Sequence, residues 1–394
     1  MFCRTWLTRL AAVPIAAMGA GDVAAAGLEP DVPLPGHYWQ LPLQPQGDAP
    51  FDWSKLERSL DPPDCGQCHA REYEGWRLSR HAKTFSPGLV GQLLTMDEAD
   101  IGACLNCHTP LPEQQSAFLR EIGGQSASEK SALDPRYGNA CPSCHLRGWQ
   151  RYGPPTRAGL TGKSASPIHN GAVRSQEFEK SEFCSVCHQF PSSAAVNGKP
   201  LENTFVEWGQ SRFAAEGRTC QSCHMPDRRH SWRGIHDPEM VESGLSSTVN
   251  VTTEDVRFTV ANTGVGHAFP TYVAPRVTMW AVPLDREDRP LSSLAVHYTI
   301  QRQVEATSDG WIEHSDTRLA PGGTATLVLP WGGHDKAKVW LQVEPDSFYH
   351  REVYPAFLRE AAANSEIRKL ISIADQAAEN SSFRLFETVT RRPQ

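Results

Sequence analysis

The sequence predicts an α+β chain: a mostly helical, loop-rich region, then a small β-sandwich and a C-terminal helix. Three observations predict it. The motif Cys-x-x-Cys-His occurs five times within residues 61–243, among short helical stretches joined by Pro- and Gly-rich loops. After Gly244 the pattern changes to alternating, β-branched stretches separated by turns. Apolar residues then recur near helical spacing over residues 354–380.

The N-terminus has the pattern of a secretory signal peptide. Two arginines precede a short apolar stretch at residues 10–20, and small residues at 24–26 provide a cleavage site. The apolar stretch is too short to span a bilayer comfortably, and Pro14 interrupts it. We therefore expect residues 1–26 to be removed on export. Residues 27–60, which are rich in proline, should then form an extended N-terminal arm.

The five motifs are c-type haem attachment sites, because two thiols bond the haem covalently and the adjacent histidine binds its iron. A zinc half-site or a redox disulfide would not need a histidine after every second cysteine. We therefore expect five covalently attached haem c groups. The predicted haem-bonding cysteines are Cys65, Cys68, Cys104, Cys107, Cys141, Cys144, Cys184, Cys187, Cys220 and Cys223. The predicted proximal ligands are His69, His108, His145, His188 and His224.

The cysteine count agrees with this interpretation. Of 11 cysteines, only Cys3 lies outside the motifs, and it falls in the predicted signal peptide. The mature chain should therefore have neither a disulfide nor a thiol that could bind iron. Covalent haem attachment and the export signal together predict a periplasmic location, or one beyond it.

The region between residues 61 and 243 is too short to bury five haems separately, so we expect the haems to pack against one another. We predict helices over residues 70–84, 175–183 and 201–216 in this pentahaem domain. Strands are predicted over residues 249–260, 276–283, 294–306, 324–330 and 337–343, which suggests a β-sandwich domain at 244–350. Residues 351–394 should form the C-terminal helix and a terminal strand.

Each low-spin haem also needs a distal ligand. Fifteen histidines minus five proximal ones leave enough for bis-histidine ligation, which predicts low reduction potentials. The candidates are His81, His169, His230, His236 and His267. His37 is the reserve, and we expect His297, His314, His334 and His350 not to bind iron.

Two of these candidates connect different parts of the chain. His81 lies 12 residues beyond His69, or about 18 Å along a helix, so it should serve a different haem. His267 lies in the tight turn Gly264-Val265-Gly266-His267, and we expect it to leave the β-domain and bind a haem of the preceding domain. Phe269 is expected to pack on that porphyrin.

The chain resembles multihaem cytochromes of the cytochrome c-554 type, which are related to hydroxylamine-oxidoreductase-like proteins. The matching stretches include CPSCHLRGWQRYGP at residues 141–154, EFCSVCHQF at 182–190 and EWGQSRFAAEGRTCQSCHMP at 207–226. The resemblance implies closely stacked haems, distal histidines at positions such as His81, and electron transfer. The fifth motif and the long β-domain depart from the four-haem members.

Three functions are compatible with these features. The first is electron transfer between redox proteins, with a quinol-linked membrane cytochrome as one possible donor. The second is an oxidoreductase acting on a small nitrogen or sulfur compound at one five-coordinate haem; neither a Cys-x-x-Cys-Lys motif nor a spare cysteine is present to support it. The third is a subunit of an extracellular or outer-membrane electron conduit. The formal net charge of −7 disfavours nucleic acid as a partner. Electron transfer is favoured over the other two functions, because the candidate distal histidines are numerous enough to bind all five irons.

Overall fold

The computed structural model describes residues 32–123, 133–158, 162–163, 169, 171–307 and 310–394. The predicted signal peptide, residues 1–26, lies outside the described residues. The described chain has the predicted α+β class, with short helices throughout the motif region and strands after residue 244.

The helices in the motif region are short, and several begin with a proline or a side-chain cap. They are α1 (Pro62–Gly66), α2 (Ala70–Leu78), α3 (Pro87–Leu93), α4 (Glu98–His108), α5 (Pro112–Ile122), α6 (Cys141–His145), α7 (Glu182–His188), α8 (Thr204–Gly209), α9 (Arg212–Ala215), α10 (Cys220–His224) and α11 (Pro238–Gly244). Two helices follow the sandwich: α12 (Tyr354–Glu360) and α13 (Glu366–Glu379).

Short strands also occur in the motif region: β1 (Leu146–Arg147), β2 (Gln150–Gly153), β3 (Gly162–Lys163), β4 (Val173–Arg174), β5 (Ala195–Val196) and β6 (Lys199–Pro200). The strands after it are β7 (Leu245–Val251), β8 (Asp255–Asn262), β9 (Arg276–Pro283), β10 (Val296–Ile300), β11 (Arg302–Thr307), β12 (Gly310–Asp316), β13 (Thr324–Pro330), β14 (Lys336–Glu344) and β15 (Phe383–Arg391). One antiparallel sheet has the order β10-β9-β14-β15 and another the order β13-β8-β7. Strands β11 and β12 form a separate ribbon.

The two larger sheets share one apolar core, as a β-sandwich requires. Inward residues alternate along the strands, so that Val256, Phe258 and Val260 of β8 and Val339 and Leu341 of β14 belong to one buried cluster. Strand β15 pairs with β14 and therefore completes a sandwich sheet from the far end of the chain.

Local hydrogen bonds divide several of the predicted elements. The strand predicted over residues 249–260 is a hairpin, because the Thr252 hydroxyl accepts from the Glu254 and Asp255 amides and turns the chain. The predicted strand at 294–306 is divided between β10 and β11, and β12 was not predicted. The helix predicted over 70–84 ends at Leu78, where the Ser79 hydroxyl bonds the Trp76 carbonyl.

The other helix predictions need similar corrections. The C-terminal helix predicted over residues 354–380 is two helices, because Ala361 is extended and the Ser365 hydroxyl caps a new start at the Arg368 amide. The helices predicted over residues 175–183 and 201–216 are also interrupted: a 3₁₀ turn at Gln176–Glu179 precedes α7, and α8 and α9 are separate.

Two terminal segments pack onto the motif region. In the arm, Tyr38 is buried and its hydroxyl donates to the Cys144 carbonyl at 2.6 Å. Helix α13 lies so close to α3 that a Cβ at Gly91 would come within 2.7 Å of the Ile371 Cδ1 atom. Within the described ranges, no helix is long and apolar enough to cross a membrane.

Candidate functional site

The motifs place both cysteines and the histidine around one helical turn. Helices α6 and α10 each span one whole motif, and α4 and α7 each end at the motif histidine. Positions i, i+3 and i+4 share a helix face, so the two sulfurs and the imidazole project to one side. In the first motif α1 ends after Cys65, and His69 caps the start of α2.

Four motif histidines lie opposite a second histidine. The ring centroids are 6.5 Å apart for His69 and His169, 6.1 Å for His188 and His81, 6.1 Å for His145 and His230, and 6.4 Å for His224 and His267. An imidazole nitrogen binds a metal at roughly 2 Å, so two rings on opposite sides of one iron have centroids roughly 6 Å apart. The four separations fit one iron between each pair.

The hydrogen bonds of these rings leave the other nitrogen free. The Nδ1 atoms of His108, His145 and His224 face the backbone carbonyls of Thr84, Tyr152 and Arg233 at 3.1, 2.8 and 2.6 Å. Likewise, the Nδ1 atoms of His230 and His267 face the carbonyls of Arg228 and Ala268 at 3.0 and 2.9 Å. A proton held on Nδ1 leaves Nε2 as the lone-pair donor, which is the arrangement of a metal-binding histidine.

Burial keeps several of these histidines neutral, as iron ligation requires. Desolvation lowers the pKa of His81 to about 3, and that of His145 and His267 to about 4. His188 differs: burial opposes its charged form, but the Glu202 carboxylate, 3.6 Å from its Nδ1, and neighbouring thiols raise its pKa. Glu202 is therefore the acidic neighbour of this ring, at ion-pair distance.

The cysteines show which motifs adjoin. In the haem-loaded protein these sulfurs would be thioethers. Cys65 lies within hydrogen-bond reach of Cys141, Cys107 of Cys187, and Cys220 of Cys184. The first motif thus borders the third, and the fourth borders both the second and the fifth.

His236 has a different partner from the other predicted distal ligands. Its Nε2 lies 2.8 Å from the Asp346 Oδ2 atom, and both side chains are largely shielded from solvent. Within the described part of the chain, no ring contact pairs His108 with a second histidine. Four of the five predicted distal histidines therefore lie opposite a motif histidine, whereas His236 contacts the Asp346 carboxylate.

The comparisons with known proteins agree with this geometry. The family model "Cytochrome c554 and c-prime" matches residues 64–145. The penta-heme cytochrome c552 from Thermochromatium tepidum is 17% identical, and its structure matches with a TM-score of 0.57 over 86% of this chain and 100% of that one. No curated protein matches the sequence. The match over residues 64–145 and the structural likeness together support a multihaem c-type cytochrome.

Multihaem c-type cytochromes hold covalently bound haem c, transfer electrons to redox partners and are typically periplasmic or exported. The structural likeness extends beyond the 64–145 match to most of the chain. That likeness shows a shared fold.

Some site residues were missed by sequence reasoning. Glu202 and Trp232 contact predicted ligand histidines, and no motif marks either residue. Trp232 stands between two predicted ligands, His230 and His236, and only that position could have drawn attention to it. Phe269, which we expected to pack on a porphyrin, lies in the buried core of the sandwich, and its backbone forms an isolated bridge to Leu319.

The reserve candidate, His37, is exposed. Three of the histidines predicted not to bind iron have other neighbours. The Nε2 of His314 bonds Glu305 at 2.8 Å. His297 packs on Trp280 of the adjacent strand. The Nδ1 of His350 bonds Asp375 at 2.7 Å.

Proposed function

We propose that this protein is an exported pentahaem cytochrome that passes electrons between redox protein partners through closely packed, mostly bis-histidine haems. The observation that carries the proposal is the set of four histidine pairs at 6.1–6.5 Å. When bound, haem supplies one-electron chemistry at iron. The chain's residues hold it, exclude water from it and set its potential through the axial ligands.

The histidine pairs support a specific ligand assignment. We number the haems by their motifs, from haem 1 at Cys65 to haem 5 at Cys220. His169 would be the distal ligand of haem 1, His230 of haem 3, His81 of haem 4 and His267 of haem 5. Because each distal ligand comes from a different segment than its motif, ligation would tie the segments of the domain together.

The sulfur contacts indicate which haems would be neighbours on the path of electron transfer. Haem 1 would adjoin haem 3, and haem 4 would adjoin both haem 2 and haem 5. Trp232 contacts the distal histidines of haems 3 and 4. It therefore links haems 1 and 3 with haems 2, 4 and 5. We further propose that residues 61–243 form the haem domain, with the β-sandwich at 244–350 and the segment at 351–394 serving as its support and docking surface.

The number of haems has a direct test. The mass of the mature chain from Gly27 to Gln394 is expected to exceed the polypeptide mass by five haem groups. Cys104→Ser should weaken one attachment and leave the other four, because it removes one of two thioethers. Mass spectrometry of the denatured protein measures both results, with Cys3→Ser as the control outside the motifs. Four or fewer haems in the fully matured protein would refute the assignment.

A second candidate function, an oxidoreductase at haem 2, is favoured by the surroundings of His108. His108 is without a histidine opposite it among the described ring contacts, and the Nε2 of His236 is held by Asp346. A haem with one open position could bind a small nitrogen or sulfur compound.

Electron paramagnetic resonance (EPR) of the oxidised protein separates the two candidates. A spectrum that is entirely low-spin identifies the electron carrier, and a high-spin signal near one haem equivalent identifies a five-coordinate haem. In the latter case, His236→Ala should leave the high-spin signal unchanged, because His236 would not bind iron. If His236→Ala instead converts a further haem to high-spin, His236 is a haem ligand.

A further inference from the structure

We propose that Trp232 is a positioning residue that fixes the ring orientation of two distal histidines, His81 and His230. The indole lies edge-on to both: its ring centroid is 4.5 Å from that of His81, at 79°, and 5.0 Å from that of His230, at 85°. The inference rests on the proposed bis-histidine ligation and adds a group that controls its geometry.

His81 depends on packing contacts more than His230 and His267 do. Its Nδ1, like that of His169, is buried and has no hydrogen-bond partner in the described part of the chain, whereas the Nδ1 atoms of His230 and His267 face backbone carbonyls. An imidazole bound to iron through Nε2 can still rotate about that bond. With no hydrogen bond to stop the rotation, packing must set the angle of the His81 ring.

The angle between the two ring planes also differs among the histidine pairs, and it is larger in the pairs that Trp232 contacts. The planes are nearly parallel for His224 and His267, at 11°, and for His69 and His169, at 19°. Trp232 touches neither pair in the ring contacts of the described residues. The planes of His81 and His188 are nearly perpendicular, at 80°, and the planes of His145 and His230 lie between, at 35°. The indole thus contacts the two pairs with the larger twist.

The backbone holds the indole in place at a conformational cost. Trp232 has φ of +39°, which is disfavoured for a bulky side chain and persists where surrounding contacts enforce it. Two sets of hydrogen bonds hold the next residue, Arg233. Its backbone carbonyl bonds the His224 ring, and its guanidinium donates to the Asp237 carboxylate at 2.5 and 2.7 Å. On the other side, Gly75 of α2 lies against the His230 backbone, where an added Cβ would come within 3.1 Å.

The relative orientation of two axial imidazoles has a spectroscopic consequence. Parallel rings split the iron d orbitals unequally and produce a rhombic low-spin EPR spectrum, whereas perpendicular rings produce a low-spin spectrum with one very large g value. We therefore expect haem 4 to show the large-g signal, and haems 1 and 5 to show rhombic signals.

The test is EPR of the oxidised, fully haem-loaded protein carrying Trp232→Gly or Trp232→Asn. Both residues tolerate the left-handed backbone and remove the indole, so either variant suffices if the other does not mature. The large-g signal should be replaced by a rhombic one, with haem content and the signals of haems 1 and 5 unchanged. Trp232→Phe keeps an aromatic edge and should retain the large-g signal.

Trp149→Gly is the matched control. Trp149 also has a positive φ, +64°, but its ring contacts Trp53 instead of a ligand histidine, so the spectrum should not change. A large-g signal that survives both Trp232→Gly and Trp232→Asn would overturn the positioning role. A wild-type protein whose haems are mostly high-spin would instead overturn the proposed ligation.

Discussion

His267→Ala is expected to convert one haem, haem 5, from low-spin to high-spin with all covalent haems still attached. The His267 ring lies 6.4 Å from that of His224, and its Nδ1 is held by the Ala268 carbonyl. The turn that carries His267 packs closely against α8 of the haem region (residues 61–243): a Cβ at Gly266 would lie 3.3 Å from the Trp208 Cδ1 atom. Removing the imidazole should therefore also loosen the contact between β-sandwich and haem region, by about 0.5–3 kcal/mol.

EPR and thermal unfolding measure these two effects. His314→Ala is the control, because His314 is a half-exposed histidine of the same part of the chain whose Nε2 bonds Glu305. It should leave the spin states and the stability unchanged. A fully low-spin His267→Ala protein would remove His267 from the ligand set and promote His37 in its place.

Arg302→Ala is expected to destabilise the protein by about 3–5 kcal/mol, because it removes the nearest counter-charge of the buried Glu313 and leaves only the Lys199 amine, at 3.6 Å. The Arg302 side chain has no solvent exposure and that of Glu313 has 5%; their Nε and Oε2 atoms are 2.6 Å apart. The same guanidinium donates to three backbone carbonyls of the 196–200 hairpin, at Val196, Lys199 and Pro200. It therefore joins the β11–β12 ribbon to the haem region.

Urea unfolding of the haem-loaded protein measures this change. Arg257→Ala removes a half-exposed arginine that pairs with Asp255 at the surface, and it should leave the stability nearly unchanged. The double variant Arg302→Met with Glu313→Leu should recover only the part of the loss that comes from the unpaired carboxylate, because the three backbone carbonyls still lose their donor. A loss under 1 kcal/mol in Arg302→Ala would show that the Arg302 guanidinium does not join the two regions.

Much of the protein's chemistry follows from the sequence alone. A c-type haem site needs two thiols and a histidine within one helical turn, so a local motif is sufficient to predict it. Strand β13 also follows directly, because period-two alternation of buried and exposed residues is a local property. The candidacy of His81, His169, His230 and His267 followed from counting the histidines that five irons would need.

Tertiary structure decided what depends on distant segments. Which histidine lies opposite which motif is set by packing between residues such as His81 and His188, more than a hundred positions apart, and no local pattern records that distance. The diversion of His236 to Asp346, the burial of Arg302 with Glu313 and the placing of Trp232 between two ligands are of the same kind. Each is a contact between side chains that only the folded chain brings together, whereas attachment of haem needs no more than a single turn of helix.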